Sequence, residues 1–268
     1  MKKELTAWER VITARDLKRP KASHYIESLF SNFIELHGDQ FYSDDKSMIC
    51  GIGFFNNTPV TVLAQAKGSD TAENIERNFG SNNPEGFRKS LRLAKQAEKF
   101  NRPIITIVDT AGAFPGVGAE ERGQSRAIAQ NIAEFSTLKV PVISIVIGEG
   151  GSGGALALSV ANKIIMLENA IYSIISPEGF TSILFKDTIR VEEATDLMEL
   201  TSNSLFDKGI VDDIVSEHSN INDNFDKVIK DIKKLITKYL DEYSNISKDD
   251  IVEQRYKKFR KIGTDYQS

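Results

Sequence analysis

Two glycine-rich segments, each following an apolar run, contain the residues of this chain best suited to chemistry. They are DTAGAFPGVG at 109–118 and GEGGSGG at 148–154, and five of the seven residues in the second are glycine. Because glycine has no Cβ atom, a ligand can approach its backbone closely. At the start of a helix, the first N–H groups also lack intrahelical acceptors and carry partial positive charge. The two segments predict a site where backbone amides, rather than a nucleophilic side chain, stabilise an oxygen anion.

The second segment also fits two motifs with different chemistry. Gly148-x-Gly150-x-x-Gly153 matches a dinucleotide-binding fingerprint with Glu168 as the ribose ligand, but that fingerprint usually opens its domain. Gly150-x-Ser152-x-Gly154 matches the nucleophile elbow of serine hydrolases, for which His218 is the only downstream histidine. Nothing near His218 in the sequence supports a catalytic triad. We therefore interpret the glycines as a backbone that a ligand approaches.

The first segment displays an aromatic ring on a stiff turn. Glycines at 112, 116 and 118 surround Phe114-Pro115, and acidic residues at 120 and 121 follow. A ring beside open amides suits a flat, neutral ligand with one polar edge. The alternative is an ordinary surface loop whose ring packs into the core.

The surrounding pattern predicts the elements that position these segments. Apolar runs at 103–108, 141–147 and 163–167 alternate with helical segments, which indicates a largely parallel sheet covered on both faces. Runs at 48–55 and 60–65 predict a hairpin. Ser176-Pro177-Glu178 predicts the start of another helix.

The two ends of the chain are predicted to be helical. Residues 3–36 read as two helices broken at Pro20, residues 224–243 carry an amphipathic stripe, and a charged helix follows. We expect one domain over 1–268, with helical extensions at about 1–36 and 222–268.

Composition excludes several classes of function. The net charge of −4 lacks the basic excess of nucleic-acid binding, so no nucleic-acid partner is expected. Cys50 is the single cysteine, and the three histidines show no ligand spacing, so no metal site is predicted in this chain. The apolar run at 140–147 is far below the ~20 residues of a membrane span, and the N-terminus does not read as a signal peptide. A cytoplasmic location without membrane contact is therefore expected.

Five stretches together resemble the α subunit of bacterial acetyl-coenzyme A carboxylase carboxyltransferases. They lie at 77–80 (RNFG), 84–89 (PEGFRK), 109–124 (DTAGAFPGVGAEERGQ), 148–155 (GEGGSGGA) and 172–179 (YSIISPEG). The sequence departs from the family pattern at Ala111, often proline, and at Phe114, often tyrosine. The resemblance implies an α/β, ClpP/crotonase-like fold of repeated ββα units with flanking terminal helices.

The resemblance also implies a reaction and its partners. The carboxyl group of carboxybiotin, held on the biotin carboxyl carrier protein, would pass to acetyl-CoA and give malonyl-CoA, the first committed step of fatty acid synthesis. A β subunit with a zinc ribbon would complete an α2β2 heterotetramer, and biotin carboxylase would recharge the biotin. The single cysteine agrees with zinc belonging to the β subunit only.

Site residues are implied by the same resemblance. The amides of Gly150 and Gly151 would form the oxyanion hole for the ureido oxygen of biotin. The biotin site would be lined by Gly112, Ala113, Phe114, Pro115, Gly116, Ser152 and Gly153. Lys67, Arg77 and Arg88 would meet CoA phosphates or would be solvated surface charges.

Two other functions stay open at the level of sequence. A stand-alone acyl-CoA hydratase or isomerase of the same fold would need a carboxylate over the thioester, for which Glu120, Glu121 and Glu149 are candidates. A non-catalytic homologue that only binds a partner would need no such group.

Overall fold

The computed structural model of the protein describes residues 4–186 and 189–264. Within these residues an eight-stranded sheet forms the centre of the molecule. The strands are β1 (Ser31–Glu35), β2 (Met48–Phe55), β3 (Thr58–Gln65), β4 (Ile104–Thr110), β5 (Val142–Gly151), β6 (Lys163–Leu167), β7 (Ile171–Ser173) and β8 (Asp213–Val215). Their order is β1-β2-β3-β4-β5-β6-β8, with β7 beside the end of β5.

Helices connect and cover these strands. The helices are α1 (Ala7–Ala14), α2 (Ala22–Leu29), α3 (Thr71–Glu76), α4 (Pro84–Lys99), α5 (Val117–Glu121), α6 (Gln124–Thr137), α7 (Ser152–Ser159), α8 (Pro177–Phe185), α9 (Val191–Met198), α10 (Ser202–Asp207), α11 (Ile221–Ser244) and α12 (Lys248–Lys261). None of the described helices is both long and apolar enough to cross a membrane.

The sheet confirms the predicted parallel arrangement and explains its apolar runs. Neighbouring strands from β3 through β4, β5 and β6 to β8 are parallel, whereas β1, β2 and β3 are antiparallel. Every residue of β4 is buried, and β5 is buried until its last residue. Continuous burial is what a parallel strand covered on both faces requires. The predicted hairpin is also confirmed, and its turn is Asn56-Asn57, both with positive φ.

Three predicted elements differ from the structure. Residues 31–35 form an edge strand rather than the end of a helix, because the chain becomes extended at Phe30 and pairs with β2. The helix expected after the first glycine-rich segment is two helices, α5 and α6, separated at Gly123, which has φ +84°. The first four residues of the second segment, Gly148–Gly151, belong to β5, and α7 begins directly at Ser152.

The C-terminal helix is locked onto the body of the protein by one buried cation. Arg255 donates hydrogen bonds to the carbonyls of Phe135, Leu138 and Val140 and to the side chain of Asn162. All of these acceptors are neutral, so burial lowers the pKa of Arg255 to about 10. The contacts tie α12 to the end of α6 and to the segment that leads into β5.

Candidate active site

The two glycine-rich segments meet at the carboxyl ends of β4 and β5, as the sequence predicted for a shared site. A Cβ atom added at Gly151 would lie 2.2 Å from the carbonyl oxygen of Ala111, and one added at Gly154 would lie 2.8 Å from the nitrogen of Ala113. No side chain fits at such distances. Glycine is therefore needed at Gly151 and Gly154 so that the two backbones can pack directly against each other.

The amides of Gly150 and Gly151 take part in the ladders of the sheet, which bears on their predicted role. A strand between two parallel neighbours directs its amides alternately to either side. Tyr172 of β7 pairs with Gly150 but donates its N–H to the carbonyl of Leu200, away from β5. The hydrogen bonds of this pair are therefore made by the N–H and C=O groups of Gly150. The amide of Gly150 therefore points to β7, and that of Gly151 points to β4, where Thr110 pairs with Gly150. Gly150 and Gly151 also line a small cavity with Ala111 and Ser173, so their role as an oxyanion hole stays a prediction.

Two other residues of the predicted set, Ala113 and Gly153, have amides outside the ladders of the sheet. Gly153 lies in the first turn of α7, where N–H groups lack an intrahelical acceptor. A Cβ atom added there would meet only Ile128, at 3.4 Å. The amide of Ala113 donates no hydrogen bond to any described residue, and it faces the same turn of α7 across Gly154. Ala113 therefore packs against Gly154, the residue that follows Gly153, where the two segments meet.

A buried polar network, which the sequence did not reveal, holds the first segment in place. Gln124 donates from its side chain to the carbonyls of Asn82 and Phe114, and the amide of Phe114 donates back to Asn82. Gln65 donates to the side chain of Asn82 and to the carbonyl of Gly154. Asn82 therefore couples both glycine-rich segments. Gln124 ends the family-like stretch at 109–124, which is the only signal that could have singled it out.

An apolar cavity of about 350 Å³ opens beside the first turn of α7. Ser152, Gly153 and Leu156 line one side, Tyr172 and Ile174 another, and residues at the end of α12 close it. Of the predicted biotin-site residues, only Ser152 and Gly153 line this cavity. Phe114 instead folds its half-buried ring over Gly116, where an added Cβ atom would lie 2.4 Å from a ring carbon.

Lys67 is an internal counter-ion and is not free to bind CoA phosphates. Its Nζ lies 2.9 Å from Asp109 and 2.8 Å from Glu149, and its side chain is 15% exposed. Glu149 is held on its other side by Arg15, which also pairs with Glu178 of α8. Burial alone would raise the pKa of Glu149, but Lys67 and then Arg15 outweigh it and lower that pKa. This chain of charges lies directly under the end of β5.

The other two predicted CoA contacts are also engaged within the protein. Arg88 pairs with Asp39 and Glu85, and Arg77 pairs with Glu73 and donates to the carbonyl of Lys46. These ion pairs contradict the expectation that either side chain is a free surface charge. Their contacts organise the loops before α4.

The geometry disfavours the alternative motifs of the second segment. Ser152 is exposed with φ +52°, as in a nucleophile elbow, but His218 pairs with Asp231 of α11 at 3.0 Å. Glu168, the candidate ribose ligand, accepts hydrogen bonds from Ser216 and from the amide of Glu217. His218 is therefore not available as a base for Ser152, and Glu168 is not available to bind a ribose.

Comparison with known proteins agrees with this geometry. The transcarboxylase 12S structure superimposes with a TM-score of 0.70 at 20% identity, over 85% of this chain and 42% of the other. The β subunit of geranyl-CoA carboxylase from P. aeruginosa gives 0.65 at 15% identity, over 94% and 45%. The fold is therefore that of the crotonase-like carboxyltransferases. A model of the acetyl co-enzyme A carboxylase carboxyltransferase-like family matches residues 1–263, and the chain belongs to that family.

Curated relatives lie within the same family. Acetyl-coenzyme A carboxylase carboxyl transferase subunit alpha of Clostridium botulinum is 57% identical over 258 residues, which cover 96% of this chain and 94% of the relative. The relative from Staphylococcus haemolyticus is 51% identical over 260 residues, covering 97% and 82%. A Clostridium tetani protein named as subunits beta/alpha is 51% identical over 264 residues, covering 98% of this chain and 46% of that protein.

Proposed function

We propose that this chain supplies the biotin side of an acetyl-CoA carboxyltransferase and uses the amides of Ala113 and Gly153 as its oxyanion hole. The observation that supports the proposal is that Ala113, whose amide donates no hydrogen bond to a described residue, packs against Gly154 directly after Gly153, so that the two family-specific segments meet there. Both residues were expected at the biotin site. The proposal moves the donors from Gly150 and Gly151, whose amides the sheet uses, to neighbouring positions in the same site.

The chemistry follows from where negative charge develops. As carboxybiotin loses its carboxyl group, charge builds on the ureido oxygen, and two backbone N–H groups stabilise it. Removing one such donor typically costs ~3 kcal/mol in the transition state. The released biotin nitrogen then takes a proton from the methyl group of acetyl-CoA, and the resulting enolate attacks the carboxyl carbon to give malonyl-CoA. Groups of the β subunit stabilise that enolate.

A β subunit is the partner that the relatives support most directly. The Clostridium tetani relative joins a beta and an alpha subunit in one protein. An α2β2 assembly, the biotin carboxyl carrier protein and biotin carboxylase complete the proposed system. Zinc is proposed for the β subunit only, because Cys50 of this chain is fully buried and burial raises its pKa to about 12.

A reconstitution assay tests this function. Malonyl-CoA-dependent carboxylation of biocytin should appear only when the purified chain is mixed with a β subunit. Hydration of crotonyl-CoA by the chain alone would favour the acyl-CoA hydratase. Tight β-subunit binding with no turnover in either assay would favour the non-catalytic homologue.

Replacing Ser152 with alanine separates the amide mechanism from a serine hydrolase. The variant should keep at least about a third of wild-type carboxyltransferase activity, because the hydroxyl has no nucleophilic role and surface substitutions cost little. Steady-state rates in the reconstituted assay measure this. Loss of all activity in a Ser152→Ala protein with an unchanged melting temperature would revive the hydrolase mechanism.

A further inference from the structure

Gln124, the first residue of α6, reaches back to the segment that carries Ala113. Gly123, which separates α5 from α6, has φ +84°, a left-handed conformation that favours glycine. The side chain of Gln124 is 3% exposed. Its Nε2 lies 2.8 Å from the carbonyl oxygen of Asn82 and 3.1 Å from that of Phe114. One side-chain amide therefore ties together the carbonyls of two separate parts of the chain.

The same contacts set the direction of the Ala113 amide. Asn82 and Ala113 form a parallel β-bridge, and the amide of Phe114 donates to the carbonyl of Asn82 at 2.9 Å. In such a bridge, successive N–H groups point to opposite sides of the chain. Because the N–H of Phe114 points to Asn82, that of Ala113 points away from it, where it donates to no described residue. Gln124 holds the carbonyl of Phe114 and so restricts rotation of this backbone.

A second glutamine joins the other glycine-rich segment to the same asparagine. Gln65, the last residue of β3, is fully buried. Its Nε2 lies 2.8 Å from Oδ1 of Asn82 and 2.7 Å from the carbonyl oxygen of Gly154. Nδ2 of Asn82 donates to the carbonyl and the hydroxyl of Ser47, which precedes β2. Asn82 is therefore fixed to the sheet, and the contacts of Gln124 position the first segment relative to a rigid reference.

We infer that Gln124 is a positioning residue for carboxyl transfer, which orients the amide of Ala113 through Phe114 and Asn82. The inference rests on the proposed function, in which Ala113 supplies one of the two donors to the ureido oxygen. A donor stabilises developing charge only where that charge appears, and an error of about 1 Å can cost about a hundredfold in rate. Oε1 of Gln124 accepts from no described residue, so the Nε2 donor is the half of the amide that acts.

Replacing Gln124 with methionine tests this role, since methionine has a similar length and no donor. In the reconstituted enzyme, kcat per folded protein should fall about tenfold, because a donor that acts in the transition state is displaced. The KM for malonyl-CoA should stay within about twofold of wild type, because Gln124 contacts the segment of the proposed biotin site. Steady-state kinetics with biocytin and malonyl-CoA measure both constants.

The matched control is Asn131→Leu on the same helix. Asn131 is fully buried and donates to the hydroxyl of Ser90 in α4 at 2.8 Å, so this variant also removes one buried hydrogen bond. It should lower the melting temperature and leave kcat per folded protein at the wild-type value. A wild-type kcat in Gln124→Met, or an equal fall of kcat in both variants, would overturn the inference.

Hydrogen exchange of the Phe114 amide gives a measurement that needs no activity. In the purified full-length chain it should become about tenfold faster in Gln124→Met and stay unchanged in Asn131→Leu, because exchange reports local opening. Unchanged exchange in Gln124→Met would overturn the inference. If Gln124→Met does not fold, Gln124→Glu, which keeps the shape of the side chain but has no N–H donor, takes its place in both measurements. If the reconstituted wild type is inactive while exchange at Phe114 still depends on Gln124, the proposed function fails and the anchoring of the segment stands.

Discussion

Replacing Gly151 with alanine is expected to lower carboxyltransferase activity at least about a hundredfold, because misplacing catalytic groups by 1 Å can cost that much. The new Cβ atom would lie 2.2 Å from the carbonyl oxygen of Ala111 and 2.5 Å from its carbonyl carbon. Backbone atoms cannot move aside as a flexible side chain can. The two segments must therefore separate, and this would disrupt the oxyanion hole proposed at Ala113 and Gly153.

The matched control for this variant is Gly118→Ala in the first segment. Its Cβ atom would meet only the flexible end of Arg122, at 3.0 Å, and alanine favours the helix α5 in which it lies. It should keep activity within about twofold of wild type, as surface substitutions generally do. Circular dichroism and β-subunit binding verify that Gly151→Ala is folded. A folded Gly151→Ala enzyme with near-normal turnover would show that the contact of the two segments does not set the site.

The fold could be predicted from local sequence wherever one local signal was sufficient. Apolar runs predicted the parallel strands, the runs at 48–55 and 60–65 predicted the hairpin, and Ser176 does cap α8 by accepting from the amide of Gly179. The strand at 31–35 was missed because Phe33 and Ile34 continue the apolar period of α2. Pairing with β2, a contact distant in sequence, overrides that local pattern.

The two segments of the candidate site were predicted, but the pairing of Gly150 and Gly151 within the sheet was not. Which amides stay open depends on where β5 ends, and this is decided by the short strand β7 some twenty residues further along the chain. The glycine pattern alone cannot show that β7 pairs with Gly150 and Gly151. It also cannot distinguish a glycine that admits a ligand, such as Gly153, from one that admits another backbone, such as Gly154.

Charged residues were the least predictable part of the site. Lys67, Arg77 and Arg88 were expected to contact CoA or to be solvated, whereas each forms an ion pair inside the protein. Lys21, which was not singled out, is the buried lysine without an ionic partner among the described residues. Sequence gives the type of a charge, but its partner depends on the tertiary structure.

Replacing Lys67 with methionine is expected to lower the free energy of unfolding by about 3–5 kcal/mol at pH 7, the range for breaking one side of a buried ion pair. Methionine has a similar shape, but it leaves Asp109 and Glu149 without the cation that lies within 2.9 Å of both. Urea unfolding measures the change. The control is Lys46→Met, whose partner Glu76 is also exposed, and it should cost less than about 1 kcal/mol.

The dependence of this loss on pH identifies its electrostatic origin. Because the pKa of Glu149 is lowered in the folded protein, its ion pairs stabilise fully above the unfolded value of about 4.3 and are lost as the pH falls through the folded value. In Lys67→Met that pKa rises, so the protein can relieve the unpaired charge by taking up a proton. The difference from wild type should therefore be full at pH 7 and shrink as the pH falls from the raised pKa of Glu149 in the variant to its lowered pKa in the wild type. A difference that stays constant across this range would mean that Lys67 stabilises the end of β5 by packing rather than by charge.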